Sequence, residues 1–318
     1  MHIEKRTLKG KTKFYLSHSY REGEKVHKFR KYLGQDISAV LLEERKKLAE
    51  KLILDEIKKY RTISDPILKE LTPQEIVWAK KIQSKIPINI SHLTGKQWEA
   101  FSKVFTFNTN AIEGSKLNSK EVKEILTEDK WPDKSKEDIA EAYGVNEAIA
   151  LIRETKDHIS TDLIKQIHRI VFKNSKPFAG RLRKAGEEVV VMDNRGNIVH
   201  EGAPQPRISY LLNELAAWYG KNRKKYPAII LAAVIHNQFE NIHPFSDGNG
   251  RVGRILLNNI LIKHNLPPVN INFENRMEYY KSLQAYEKRH DLKPTIDLFM
   301  KEYRALKTLL GDYKHAWV

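Results

Sequence analysis

The stretch His243-Pro244-Phe245-Ser246-Asp247-Gly248-Asn249-Gly250-Arg251 gathers an imidazole, a carboxylate, two glycines and a guanidinium, and a second guanidinium, Arg254, follows three positions later. Glycine permits positive φ and close backbone approach. Gly248 and Gly250, flanking Asn249 ahead of an apolar-periodic run, predict a nest of amides at a helix N-terminus, where the dipole favours an anion. Arg251 and Arg254 share a face of that helix, and two guanidiniums beside such a nest cradle a polyphosphate. Asp247 at the lip is a single carboxylate, suited to Mg2+ or Mn2+ bridging phosphate oxygens. His243, held by Pro244, is placed to take a proton from an attacking hydroxyl. Phe245 between them is expected in the core. The glycines are not followed by Gly-Lys-Ser/Thr, so this is no P-loop. The chemistry implied is binding of a nucleoside triphosphate and movement of part of it onto another molecule.

Elements that could hold these residues follow from periodicity. Ala228 to Ile235 is apolar on every side and predicts a buried helix, within Pro227 to Glu240, running into the motif. A second helix starts at about Gly250. Upstream, Trp98, Phe101, Val104, Phe105 and Ile112 mark a helix ended by Gly114. Others open at Ser119 and span Glu137 to Arg153 and Thr161 to Phe172, and downstream ones span Ser209 to Tyr219, Arg276 to Arg289 and Thr295 to Leu310. Val189 to Met192 and Ile198-Val199, about the turn cluster Asp193 to Asn197, predict a hairpin set in a helical domain. Near the N-terminus, residues 13–33 read as a small basic hairpin turning at Arg21 to Glu24. A charged helix follows over Ile37 to Tyr60, with Val40, Leu41, Leu48, Leu52 and Ile57 on its apolar side. Pro66 and Thr72-Pro73 break the pattern, and Pro87 to Ser91 reads as a linker. The organisation expected is an N-terminal region over 1–90 and a mainly α domain over 91–318.

Composition bounds the function classes. The 318 residues contain no cysteine, which removes disulfides, thiolate metal sites and cysteine nucleophiles. No apolar run approaches the roughly 20 residues of a membrane helix. The charged start, Met1 to Arg6, lacks the apolar segment of a signal peptide, so no membrane partner and a cytoplasmic address are expected. Lys and Arg exceed Asp and Glu, 56 to 40, a balance that attracts polyanions, although scattered lysines also make an ordinary solvated surface.

The run His243 to Arg254 resembles the signature of the Fic (Fido) family at every defining position. The helix bearing His236 and Phe239 resembles the one before that signature, the hairpin Val189 to Val199 resembles the family's flap, and Pro206 to Trp218 the helix after it. The resemblance spans roughly 93–300, with a core of about 160–302, and leaves 1–90 unassigned. It implies a Fic-type helical core with a β-hairpin flap. It also implies transfer of AMP from the co-substrate ATP to a Ser, Thr or Tyr hydroxyl of a protein target, the chain itself included, with pyrophosphate released. Under it His243 is the general base, Asp247 holds the metal, and Gly248, Asn249 and Gly250 bind the α- and β-phosphates. Arg251 contacts phosphate and Arg254 the γ-phosphate. Tyr279 and Tyr280 resemble adenine neighbours, although core aromatics at helical spacing fit them better.

Thr109-Asn110-Ala111-Ile112-Glu113-Gly114 alone reads as a helix end with a solvated carboxylate. Within the resemblance it matches the family's inhibitory motif, on a helix near 97–114, with Glu113 paired to Arg254. A Glu so placed also suits removal of AMP by water. Homodimers occur in the family, and no residue here names an interface. Two alternatives stand beside an autoinhibited adenylyltransferase. One is transfer of another phosphate-containing group, phosphoryl or UMP, on the same fold. The other is a nucleic-acid-binding regulator using the N-terminal region, where Lys9, Lys11, Lys13, Arg21, Lys25, Lys28, Arg30 and Lys31 interleave with Phe14, Tyr15, Tyr20, Phe29 and Tyr32.

Overall fold

A computed structural model describes residues 1–315 apart from 9, 23, 24, 65, 68, 69, 185, 188 and 193–197. The chain is mainly α-helical and divides into two compact units, Met1–Asp65 and Pro66–Val318. The division falls well before the expected position near 90. Residues 66–90 pack with the second unit: the Tyr286 hydroxyl donates to the Pro66 carbonyl, and the Gln83 side chain accepts from the Ile229 amide.

The first unit is more than a hairpin. Strands β1 (His2–Leu8), β2 (Lys11–Glu22) and β3 (Lys25–Gln35) form an antiparallel sheet in that order, with a register shift between Phe14 and Tyr15. Helix α1 (Ala39–Ser64) covers one face of it, through a core of Leu16, Leu33, Ala49, Ile53 and Ile57. The apolar side of α1 therefore differs from the expected one. Val40, Leu48 and Leu52 are exposed, because the small Ala49 and the β-branched Ile53 set the face that fits the sheet. The expected turn at Arg21 to Glu24 includes Gly23 and Glu24, which lie outside the described residues.

The second unit opens with a helix that the prolines concealed, α2 (Pro73–Gln83). Thr72 and Glu75 form a capping box ahead of it, and proline is well tolerated in a helix's first turn. Then follow α3 (Gly95–Ile112), α4 (Ser119–Glu128), α5 (Lys136–Glu154), α6 (Thr161–Phe172), the hairpin β4 (Val190–Met192) and β5 (Ile198–Glu201), α7 (Ile208–Asn222), α8 (Ala228–Ile242), α9 (Asn249–Lys263), α10 (Arg276–Arg289) and α11 (Lys293–His315). The turn cluster at 193–197 lies outside the described residues. Every residue of α8 is buried, and α9 is buried from Asn249 to Leu261. These two pack on each other, ringed by α3, α5, α6, α7, α10 and α11. Among the described residues no helix is long and apolar enough to cross a membrane.

Close helix contact fixes the frame of the site. An added Cβ at Gly144 on α5 would stand 2.2 Å from the Val171 carbonyl oxygen on α6, whereas one at Gly220 on α7 would meet nothing within 4 Å. Gly144→Ala should cost about 1–3 kcal/mol by overpacking, a fall of roughly 2–9 °C in Tm. Gly220→Ala should raise Tm slightly through helix propensity. Thermal unfolding followed by circular dichroism reads both; equal effects would mean that α5 and α6 do not meet at Gly144.

Candidate active site

The site begins where α8 ends. His243 leaves the helix in the left-handed region (φ 51°), so the chain turns sharply at this histidine itself. Its Nδ1 faces the Glu240 carbonyl at 3.3 Å. A proton on Nδ1 leaves Nε2 as the free acceptor. Burial, with His200 5.7 Å away ring to ring, lowers the His243 pKa to about 4, so the imidazole is neutral at pH 7. The turn is stapled from both sides. Asn249 closes it, accepting from the Phe245 amide at 2.9 Å and donating to the Phe245 carbonyl at 2.8 Å. Arg183 donates from Nε to the His243 carbonyl at 2.8 Å, and its own amide donates to Pro244. Phe245 is buried as expected and stacks on His168 at 3.8 Å.

His168 is an organiser that the sequence did not reveal. Its Nδ1 accepts from the Gly180 amide at 2.8 Å, so Nε2 carries the proton and donates to the Asp247 carbonyl at 3.1 Å. Burial lowers its pKa to about 4, and a neutral ring is what this donor–acceptor pair requires. Gly248 (φ 83°) then starts α9 with no side-chain cap. A Cβ there would collide with Phe172 at 2.2 Å. A helix's first amides have no acceptor within the helix, so the uncapped start of α9 is a ready anion site.

Asp247 stands at the lip with its side chain 43% exposed, accepting from Lys176 at 3.0 Å and from the Gly248 amide at 2.6 Å. Partial burial opposes its ionisation, but Arg251 and Lys176 prevail and hold its pKa below the ordinary value. Among the described residues no three His, Asp or Glu side chains cluster to hold a metal. One accessible carboxylate suits a magnesium ion whose other ligands are nucleotide oxygens and water; Lys176 would have to yield to it. Arg251 is buried in this structure, paired with Glu141 on α5 and lying over the Phe172 ring at 4.6 Å.

Arg254, the other expected phosphate ligand, is 1% exposed. Its Nε donates to the Thr109 hydroxyl at 2.8 Å, while one terminal nitrogen donates to the Thr109 carbonyl at 3.0 Å and to Glu113 at 2.8 Å. The other donates to Tyr279 at 3.3 Å. So α3 delivers Thr109 and Glu113 to one guanidinium, and Gly114 (φ 92°) ends that helix in a conformation other residues rarely adopt. The Glu113 carboxylate also lies against the first turn of α9: a Cβ added at Gly250 would stand 2.1 Å from its Oε1. Tyr279 is a core residue, bonded to His236 at 3.1 Å as well as to Arg254. Tyr280 is 38% exposed and donates to the Ile112 carbonyl at the end of α3. Glu240, another residue that sequence spacing did not mark, is buried beside Gly253 and His236. Burial pushes its pKa up to about 8 although Arg254 pulls it down, so at neutral pH it holds its proton.

Comparison with known proteins matches this geometry to a family. Residues 158–261 match the sequence profile of the Fic/DOC family. "Protein adenylyltransferase Fic" of Nematostella vectensis is 33% identical over 60% of this chain and 44% of its own length. "Protein adenylyltransferase fic-1" of Caenorhabditis elegans is 31% identical over 66% of this chain and 42% of its own. The chain thus spans less than half the length of these curated relatives. A crystal structure of a Fic-domain-containing signaling protein from Bacteroides thetaiotaomicron shares the fold, with a TM-score of 0.63 at 20% identity over 75% of this chain and 96% of that one. The segment running from α6 through the His243–Arg254 turn into α9 is thus the part of the chain that matches the Fic/DOC family.

Proposed function

We propose that this chain is a protein adenylyltransferase held in check by its own Glu113. The observation that carries the proposal is the pairing of one uncapped helix N-terminus with a neutral imidazole at its entrance and a carboxylate lying against Gly250 in its first turn. The anion that the nest is built to receive is a polyphosphate, and ATP supplies one with an electrophilic α-phosphorus. The target hydroxyl oxygen attacks that phosphorus. Its proton passes to Nε2 of His243, the bond to the bridging oxygen breaks, and pyrophosphate leaves. The amides at the start of α9 stabilise charge on the phosphate oxygens, the main catalytic contribution in such transfers. Asp247 would hold Mg2+, which neutralises phosphate charge when bound. With Glu113 in place, the γ-phosphate meets a carboxylate and an already occupied Arg254.

Incubation with ATP labelled at the α- or the γ-phosphate separates adenylyl from phosphoryl transfer. We expect protein label from the α position only. His243→Ala should lose it by roughly 10²–10⁴-fold, the usual range for a general base. Glu113→Gly should raise it by about tenfold or more, since a charge-assisted hydrogen bond is worth about 1.5–3 kcal/mol. Label from the γ position would make the chain a kinase instead, and an unchanged Glu113→Gly rate would remove the brake.

The pH dependence follows from the lowered pKa of His243. A free imidazole would lose its basic form as pH falls through about 6.5, whereas His243 keeps it until about pH 4. In Glu113→Gly, kcat/KM should therefore stay level from pH 7.5 to about 5.5, with His243 observed neutral over that range by NMR. The same shift makes stability fall with pH: between about 6.5 and 4 the unfolded chain binds protons that buried His168 and His243 refuse. An acid limb centred near 6.5 in both activity and the His243 resonance would show that burial does not govern this base.

A further inference from the structure

The first unit carries a surface for which adenylyl transfer has no use. One face of its sheet lies on α1; the other is lined by alternate residues of three strands. Arg6, Lys13, Arg21, Lys28 and Arg30 point from that outer face, and Tyr32 among them is 57% exposed. Arg6 and Lys28 have side chains 59% and 54% exposed, and Lys13 and Arg21 are exposed too. Ten Lys or Arg stand against four Asp or Glu in residues 1–36. Glu4 is the one carboxylate among the described residues of the face. It accepts from Ser17 at 2.9 Å and touches Arg6 and Arg30 at 3.2 Å and Lys28 at 3.7 Å. The Ser17 hydrogen bond, with these cations, lowers its pKa to about 2, so it stays charged, orienting the basic groups while neutralising only one of them.

We infer that this outer face binds duplex DNA through its phosphates, seated along the major groove. The arrangement of cations and rings favours this occupant over other polyanions. The Arg30 guanidinium lies over the Tyr15 ring at 3.8 Å, and Tyr32 crowds the same ring at 5.3 Å. Tyr15 therefore holds an arginine in a fixed pose and offers no open platform for stacking an unpaired base, the device that single-strand binders use. Strands about 4.8 Å apart make the sheet roughly 10 Å across, which fits the B-form major groove of about 12 Å. The deep, narrow groove of duplex RNA would not admit it. Cations on both sides of the sheet's midline then face the two phosphate rows.

Fluorescence anisotropy of the full chain with a labelled duplex of about 20 base pairs tests this. Five phosphate contacts predict a slope of about −4 to −5 in log K against log salt, a loss of a few hundred-fold between about 50 and 200 mM. Lys13→Glu with Lys28→Glu should weaken binding at least tenfold and flatten the slope by about two. Lys47→Glu with Lys51→Glu, the same charge change on exposed positions of α1, should move affinity less than threefold, with circular dichroism unchanged for both pairs. No binding at about 50 mM salt overturns the inference. So does equal loss from the α1 pair, or tighter binding to single-stranded DNA, duplex RNA or phosphatidylserine vesicles.

Discussion

A guanidinium buried to 1% exposure must be compensated wherever it sits, because an unpaired charge in that setting costs several kcal/mol. Arg254 is such a group, and much of the second unit is arranged around its demand. Helix α9 supplies it, α3 supplies the Thr109 carbonyl and hydroxyl with the Glu113 carboxylate, and α10 supplies Tyr279. Burial opposes its charge, yet Tyr279 and Glu113 more than offset that and hold its pKa above the ordinary arginine value. Neighbouring Glu240 answers the same constraint from the other side. A second ionised carboxylate is not needed for charge balance, and burial keeps it protonated.

In the proposed function, inhibition takes the form of an exchange of anions. Glu113 is the partner of Arg254 with access to solvent, its side chain 28% exposed against 2% for the arginine. A phosphate entering the nest can replace that carboxylate without leaving Arg254 unpaired, since both are oxyanions at hydrogen-bond distance. Thr109 and Tyr279 cannot be replaced in this way; they are buried and hold the guanidinium in place whichever anion faces it. In that reading, regulation and catalysis draw on one charge, with the fixed partners separated from the exchangeable one.

Much of this was readable in the sequence where local rules sufficed. The apolar run from Ala228, the breaks at Gly114 and Gly248 and the 3.6-residue periods placed α3 to α11 to within a few residues. Local rules failed where two signals conflicted or none existed. Thr72-Pro73 looked like a break although it caps α2, and on α1 the larger Val40, Leu48 and Leu52 outvoted Ala49 in defining a face. In the site, the types and spacing from His243 to Arg254 marked the positions. They did not show which groups each side chain meets. Arg251 turns to Glu141, Asn249 staples the Phe245 backbone, and His168 fixes the turn from another helix. Those pairings join residues far apart in the chain, and no periodicity encodes them.

Under the proposed function, the surroundings of Gly250 give the reason that brake and reaction would not coexist at full strength. The absence of a side chain there opens the helix start to an anion, and Glu113 Oε1 fills the space a Cβ would take. Any phosphate bound close to that backbone must claim the same volume. The conflict is steric as well as electrostatic, and neutralising the carboxylate without shortening it would relieve only the electrostatic part. In the intact chain, releasing the proposed brake therefore means moving the Glu113 side chain aside or shifting the end of α3, where Tyr280 donates to the Ile112 carbonyl and Gly114 turns the chain away. In the proposed function, the residues that hold that helix end bear on the resting activity along with the charge on Glu113.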